Sequence, residues 1–73
     1  MEIQSLKDIS SQIRARRKSL GFTQAECAAF CGVGVRFLSE LENGKESIHL
    51  GKTLQVLKML GLNLQLSENG AKW

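Results

Sequence analysis

The run Thr23-Gln24-Ala25-Glu26, followed by Cys31-Gly32-Val33-Gly34, leaves this chain little conformational choice. Threonine followed three residues later by glutamate is a capping box: the Thr23 hydroxyl accepts from the Glu26 amide while the Glu26 carboxylate reaches back, so a helix begins here. Phe22 and Cys27 stand at the two positions of a hydrophobic staple. Ala25, Ala28, Ala29 and Phe30 continue the helix to Cys31-Gly32, where glycine suits the left-handed residue that follows many helix ends. From Val35 a helical pattern resumes, with Leu38 and Leu41 in register and Val33 placed to staple on Leu38. It ends at Glu42-Asn43-Gly44. Two short helices joined by about three residues around a glycine must meet at a sharp angle.

This pair is a helix-turn-helix, and the sequence flanks it with further elements. Leu6, Ile9, Ile13 and Leu20 follow a helical spacing, and Arg14, Arg16, Arg17 and Lys18 crowd the last turns, the end of a helix that favours cations. A first helix from Leu6 to Leu20 is therefore predicted, closed by Gly21. A fourth is predicted from about His49 to Leu60, burying Leu50, Leu54, Leu57 and Leu60, with Gly51 weakening it by roughly 1 kcal/mol relative to alanine. Then the period changes: Leu62-Asn63-Leu64-Gln65-Leu66-Ser67 alternates apolar and polar residues, as a half-buried strand does. A lone strand leaves its amides and carbonyls without a ladder, and no other segment is predicted to pair with it. The economical partner is the same strand of a second copy, so Leu62, Leu64 and Leu66 are expected to form a two-stranded antiparallel ribbon across a twofold axis. The predicted organisation is a helix-turn-helix domain over 1–61, a dimerising strand over 62–67 and a flexible tail over 68–73.

At 73 residues there is one small domain and no room for a deep catalytic pocket. The sequence holds no glycine-rich phosphate loop and no paired acidic cleft, so no catalytic residues and no cofactor are expected. Ten Lys plus Arg against seven Asp plus Glu give a formal net charge of +3, which suits an anionic partner. A monomer of this size buries only about 60% of the surface that its unfolded chain exposes, which again favours a dimer. Two cysteines are too few for the disulfide framework of a small secreted protein. With no signal-peptide pattern and no apolar run near the ~18 residues of a membrane span, a cytoplasmic protein without a membrane partner is expected. Cys27 and Cys31 share a helix face as a metal half-site would, but His49 is the only histidine; no metal is expected, and both cysteines read as small core residues.

Taken together, Thr23-Gln24-Ala25-Glu26-Cys27-Ala28, Gly32-Val33 and Leu38-Ser39-Glu40-Leu41-Glu42-Asn43-Gly44-Lys45 resemble the phage-repressor (Xre or Cro/C1) helix-turn-helix family. The resemblance runs from Ile13 to about Gly61 and implies an all-α, lambda-repressor-like domain of four helices, here with the C-terminal strand. It implies that the helix starting at Thr23 lies across the backbone of double-stranded DNA and that the next enters the major groove. On that resemblance Val35, Arg36, Ser39 and Glu40 face the groove, Arg36 to read guanine, Glu40 to accept from cytosine and Val35 to touch a thymine methyl. Gln24 donates to a phosphate or is simply solvated. Arg17 matches a cation that pairs with Glu42 and is presented near phosphate. Asn43 and Lys45 match loop positions near the backbone, Lys45 being otherwise a solvated cation. Three residues depart from the pattern. Gly34 replaces the usual Ser or Thr cap, Arg16 stands where an apolar residue is common, and Phe37 occupies a place often polar and near DNA. Phe37 either contacts a sugar or thymine methyl or packs against the second helix.

From His49 to Leu66 the register is similar to that of one branch, the HipB-type antitoxins. That likeness implies a homodimer with paired C-terminal strands, repression of its own operon at inverted repeats, and binding of a HipA-type serine/threonine kinase toxin. Some members end in tryptophan, which makes Trp73 the expected toxin contact; the alternative is a lid over the leucines of the ribbon. The expected function is that of a sequence-specific DNA-binding repressor and antitoxin, with recognition helices about 34 Å apart in the dimer. The alternatives are a free-standing regulator without a toxin and a protein-interaction module that no longer reads DNA.

Overall fold

The computed structural model describes residues 5–46 and 49–65. Among them are four helices: α1 over Leu6–Ser19, α2 over Gln24–Cys31, α3 over Val35–Glu42 and α4 over Leu50–Met59. The starts of α1, α2 and α4 carry capping chemistry close in sequence. At α2 the expected reciprocal box forms, with the Thr23 amide donating to Glu26 Oε1 at 2.9 Å and the Glu26 amide donating to Thr23 Oγ1 at 3.1 Å. The bond from the Thr23 amide holds the Glu26 carboxyl below its ordinary range. A second box, not anticipated from the sequence, opens α1, where the Ser5 amide donates to the Asp8 carboxylate at 3.2 Å. α3 starts on Gly34, which has no side chain to cap it.

Between α2 and α3 the chain turns on Gly32 at φ +73°, and a Cβ there would lie 3.1 Å from Gln55 Nε2. Glycine both adopts this left-handed turn and leaves room for α4. The same Gln55 Nε2 donates to the Cys31 carbonyl at 2.6 Å, so a side chain from α4 satisfies the end of α2. Ser10 Oγ donates to the Leu41 carbonyl at 2.5 Å and joins α1 to α3.

One apolar core draws on all four helices: Ile13, Cys27, Ala28, Cys31, Leu38, Leu41, Val56, Leu57 and Leu60. The two cysteines are core residues, as expected, with Sγ atoms 4.0 Å apart. Burial pushes both thiols up, Cys31 to about 12, so they stay protonated and unreactive at neutral pH.

The inner face of α4 departs from expectation. It buries Thr53, Val56 and Leu57, with Leu60 at the C-cap, whereas Leu50 and Leu54 are 64% and 44% exposed. Thr53 tolerates the core because its Oγ1 donates to the His49 carbonyl at 3.0 Å, leaving no unsatisfied hydroxyl inside. His49 is the N-cap rather than a helical residue, and its Nδ1 accepts from the Lys52 amide at 3.2 Å. Arg16 removes less core than its charge implied. Its Nε donates to the Leu60 carbonyl at 2.8 Å and so closes the end of α4.

The Leu62 amide donates to the Leu57 carbonyl at 2.9 Å, and Leu62 packs half-buried against the core. Residues 62–65 pair with no strand among the described residues of a single chain, and Leu64 is 40% exposed. Leu66 and the whole of the predicted tail, Trp73 included, lie outside the described residues. Among the described residues no helix is long and apolar enough to cross a membrane.

Candidate nucleic-acid interface

Helix α3 has two chemically different sides. Leu38, Leu41 and Glu42 are buried. Arg36, Ser39 and Glu40, with Asn43 just past the end, recur at helical spacing away from them. The Arg36 side chain is 92% exposed, and Val35 stands exposed at the start of the helix. Of the four residues expected to face a groove, Val35 and Arg36 are exposed and Ser39 and Glu40 half-buried, and the exposed Asn43 and Lys45 follow the end of the helix.

This helix is held by a buried fork. Arg17 Nε donates to Glu42 Oε2 at 2.7 Å, Arg17 Nη2 donates to Glu42 Oε1 at 3.0 Å, and Arg17 Nη1 donates to the Phe22 carbonyl at 2.8 Å. The Glu42 side chain is 2% exposed and the Arg17 side chain 11%. The Glu42 bond, opposed by burial, raises the Arg17 guanidinium further above its already high pKa, so the guanidinium stays charged. Three elements meet at this fork: α1 through Arg17, α3 through Glu42 and the turn before α2 through Phe22. Gln24 Nε2 adds a 3.3 Å bond to Glu42 Oε1 from the first turn of α2. Arg17 and Gln24, both expected to reach phosphate, therefore direct donors at Glu42. The geometry of Arg17 is that of a residue that positions α3.

Phe37 is half-buried against the core, and Lys52 Nζ lies 5.6 Å from its ring centroid. Lys52 thereby brings a cation from α4 to the flank of α3. Sequence reasoning missed this residue, because nothing local to Lys52 signals that α4 passes beside Phe37.

The polar stripe is also wired internally. The Glu40 carboxylate accepts from Lys45 Nζ and pairs with Arg36 Nε at 3.4 Å, one helical turn earlier. The Lys45 bond is the main cause that holds the Glu40 carboxyl below its ordinary range.

The helix-turn-helix family model HTH_3 matches residues 13–66. An uncharacterized HTH-type transcriptional regulator, y4mF, from Sinorhizobium fredii (strain NBRC 101917 / NGR234) is 39% identical over 70 residues, spanning 96% of this chain and 92% of that protein. Among solved structures, a chain of a HipA-HipB-O2-O3 complex aligns with a TM-score of 0.83 at 25% identity, covering 94% of this chain and 97% of its own length. A chain of a HipB-O4 20mer complex gives the same TM-score, identity and coverage.

Proposed function

Because the chain belongs to the helix-turn-helix family HTH_3, we propose that it is a sequence-specific, double-stranded-DNA-binding transcriptional repressor that acts as a homodimer in the cytoplasm. The observation that carries this reading is the outer stripe of α3, presented on a helix that the Arg17–Glu42 fork fixes in place. Base edges are read by Arg36, Ser39, Glu40 and Val35, and Asn43, Lys45 and the first turn of α2 at Gln24 meet phosphates. Arg17 acts through Glu42, and Phe37 acts through the core and Lys52. The dimer is made by Leu62, Leu64 and Leu66, and the exposed Leu50 and Leu54, one turn apart on α4, supply further apolar surface for it. Arg36→Ala is expected to relax discrimination at one base position with a loss of about 1–3 kcal/mol, measured by titrating single-substituted operators. Unchanged discrimination at every position would remove Arg36 from the reading.

The finer role is that of an antitoxin that represses its own operon at inverted repeats and binds a HipA-type serine/threonine kinase. Likeness over nearly the whole chain to HipB in complexes that include HipA supports it. Trp73 is the proposed contact. Deleting Lys72 and Trp73 should abolish capture of such a kinase while leaving DNA affinity intact. A second reading, a free-standing regulator, is favoured by the higher identity to a relative named only as a transcriptional regulator. Under that reading the deletion weakens the dimer alone.

A further inference from the structure

The stripe on α3 and the turn after it carry two cations, Arg36 and Lys45, and both are joined to one anion. Glu40 stands between them: its carboxylate pairs with Arg36 Nε at 3.4 Å and accepts from Lys45 Nζ. Its side chain is 29% exposed against 92% for Arg36 and 50% for Lys45, so the acid is the sheltered centre and the cations reach outward around it. Ionised, the three groups carry one net positive charge instead of two. Phosphate oxygens and the O6 and N7 atoms of guanine ask for the same donors that Glu40 already occupies.

Resting on the DNA-binding reading above, we infer that Glu40 is a specificity-determining residue that competes with DNA for Arg36 and Lys45. At a non-cognate site the two side chains exchange one anionic acceptor for another while the Glu40 carboxylate is left facing the phosphates, and like charges repel. At a cognate site a guanine accepts from Arg36 in bidentate geometry, and a base donor, such as the cytosine amine, takes the acceptor that Arg36 released. The carboxylate therefore penalises duplex binding in general and relents where base edges replace both of its partners. This is a role for repulsion in addition to the direct contact with cytosine.

The test is Glu40→Gln, which removes the charge and keeps the shape. Affinity for a duplex of scrambled sequence and for the operator is measured by fluorescence anisotropy at about 50 and 200 mM KCl. Scrambled-duplex affinity should rise about tenfold at the lower salt, its salt dependence should steepen by about one to two in slope, and the ratio of operator to scrambled affinity should fall. Lys45→Gln provides the second arm. It should weaken scrambled-duplex binding more in the Glu40→Gln background than in the wild type, because only there is the lysine free for phosphate. Unchanged scrambled-duplex affinity in Glu40→Gln, or equal effects of Lys45→Gln in both backgrounds, would overturn the competition. So would a loss of operator affinity alone, which would make Glu40 only a base contact. The wild type tests the underlying reading separately: if it binds neither duplex, DNA binding itself fails, and a variant that is equally silent overturns this role as well.

Discussion

Glu42→Ala is expected to destabilise the domain by about 3–5 kcal/mol, a large part of the stability available to a chain of this size. The carboxylate accepts both Nε and Nη2 of Arg17 and a further bond from Gln24, and its side chain is 2% exposed. Removing it leaves a guanidinium that is 11% exposed and that keeps its bond to the Phe22 carbonyl. The loss thus reflects an uncompensated buried charge more than the attraction of the intact pair, since desolvation offsets much of that attraction. It follows that Arg17→Met combined with Glu42→Leu should recover most of the stability while DNA binding stays impaired, because the fork that sets the attitude of α3 is gone. Urea denaturation of the single and double variants, read as midpoint shifts at constant slope, checks both statements. A single-variant loss below about 1 kcal/mol would mean that the pair behaves like a solvated surface contact.

What could be read from the sequence was mainly what is decided within a few residues. The Thr23–Glu26 box, the turn at Gly32 and the end of α3 near Gly44 depend on neighbours three or four positions away, and each stands where the sequence puts it. The Arg17–Glu42 fork spans two helices and was legible only through family resemblance. The buried face of α4 was misassigned because hydrophobicity alone favours Leu50 and Leu54 over Thr53, whereas the helix can bury a threonine that bonds its own backbone. The side of α4 that meets the core is chosen by tertiary packing, as are the cap that Arg16 provides and the place of Lys52 beside Phe37. On the α3 stripe, residue types were readable but their mutual occupation was not. Arg36 and Glu40 look equally available in the sequence, and only the structure joins them with Lys45.

Leu64→Glu should have the largest effect on function. Leu64 is 40% exposed and Leu50 and Leu54 are more so, while the core closes without them around Ile13, Leu38, Leu41 and Leu60. The substitution should therefore leave helix content in place and dissociate the proposed dimer, in which it would set two carboxylates against each other near the twofold axis. A dimer binds its second half-site intramolecularly, so its loss should lower affinity for a full operator about 10²–10⁴-fold while affinity for an isolated half-site hardly changes. Sedimentation velocity and operator titration report the two effects. A variant that remains dimeric with full operator affinity would place the dimer surface elsewhere.

Selection of bound fragments from a random duplex library at physiological salt, followed by sequencing, tests the proposed function most directly. A dimeric repressor should enrich an inverted repeat whose half-sites lie about one helical turn apart, roughly 34–36 Å between centres. Absence of enrichment, with binding equal across sequences or none at all, would contradict sequence-specific reading by the outer stripe of α3.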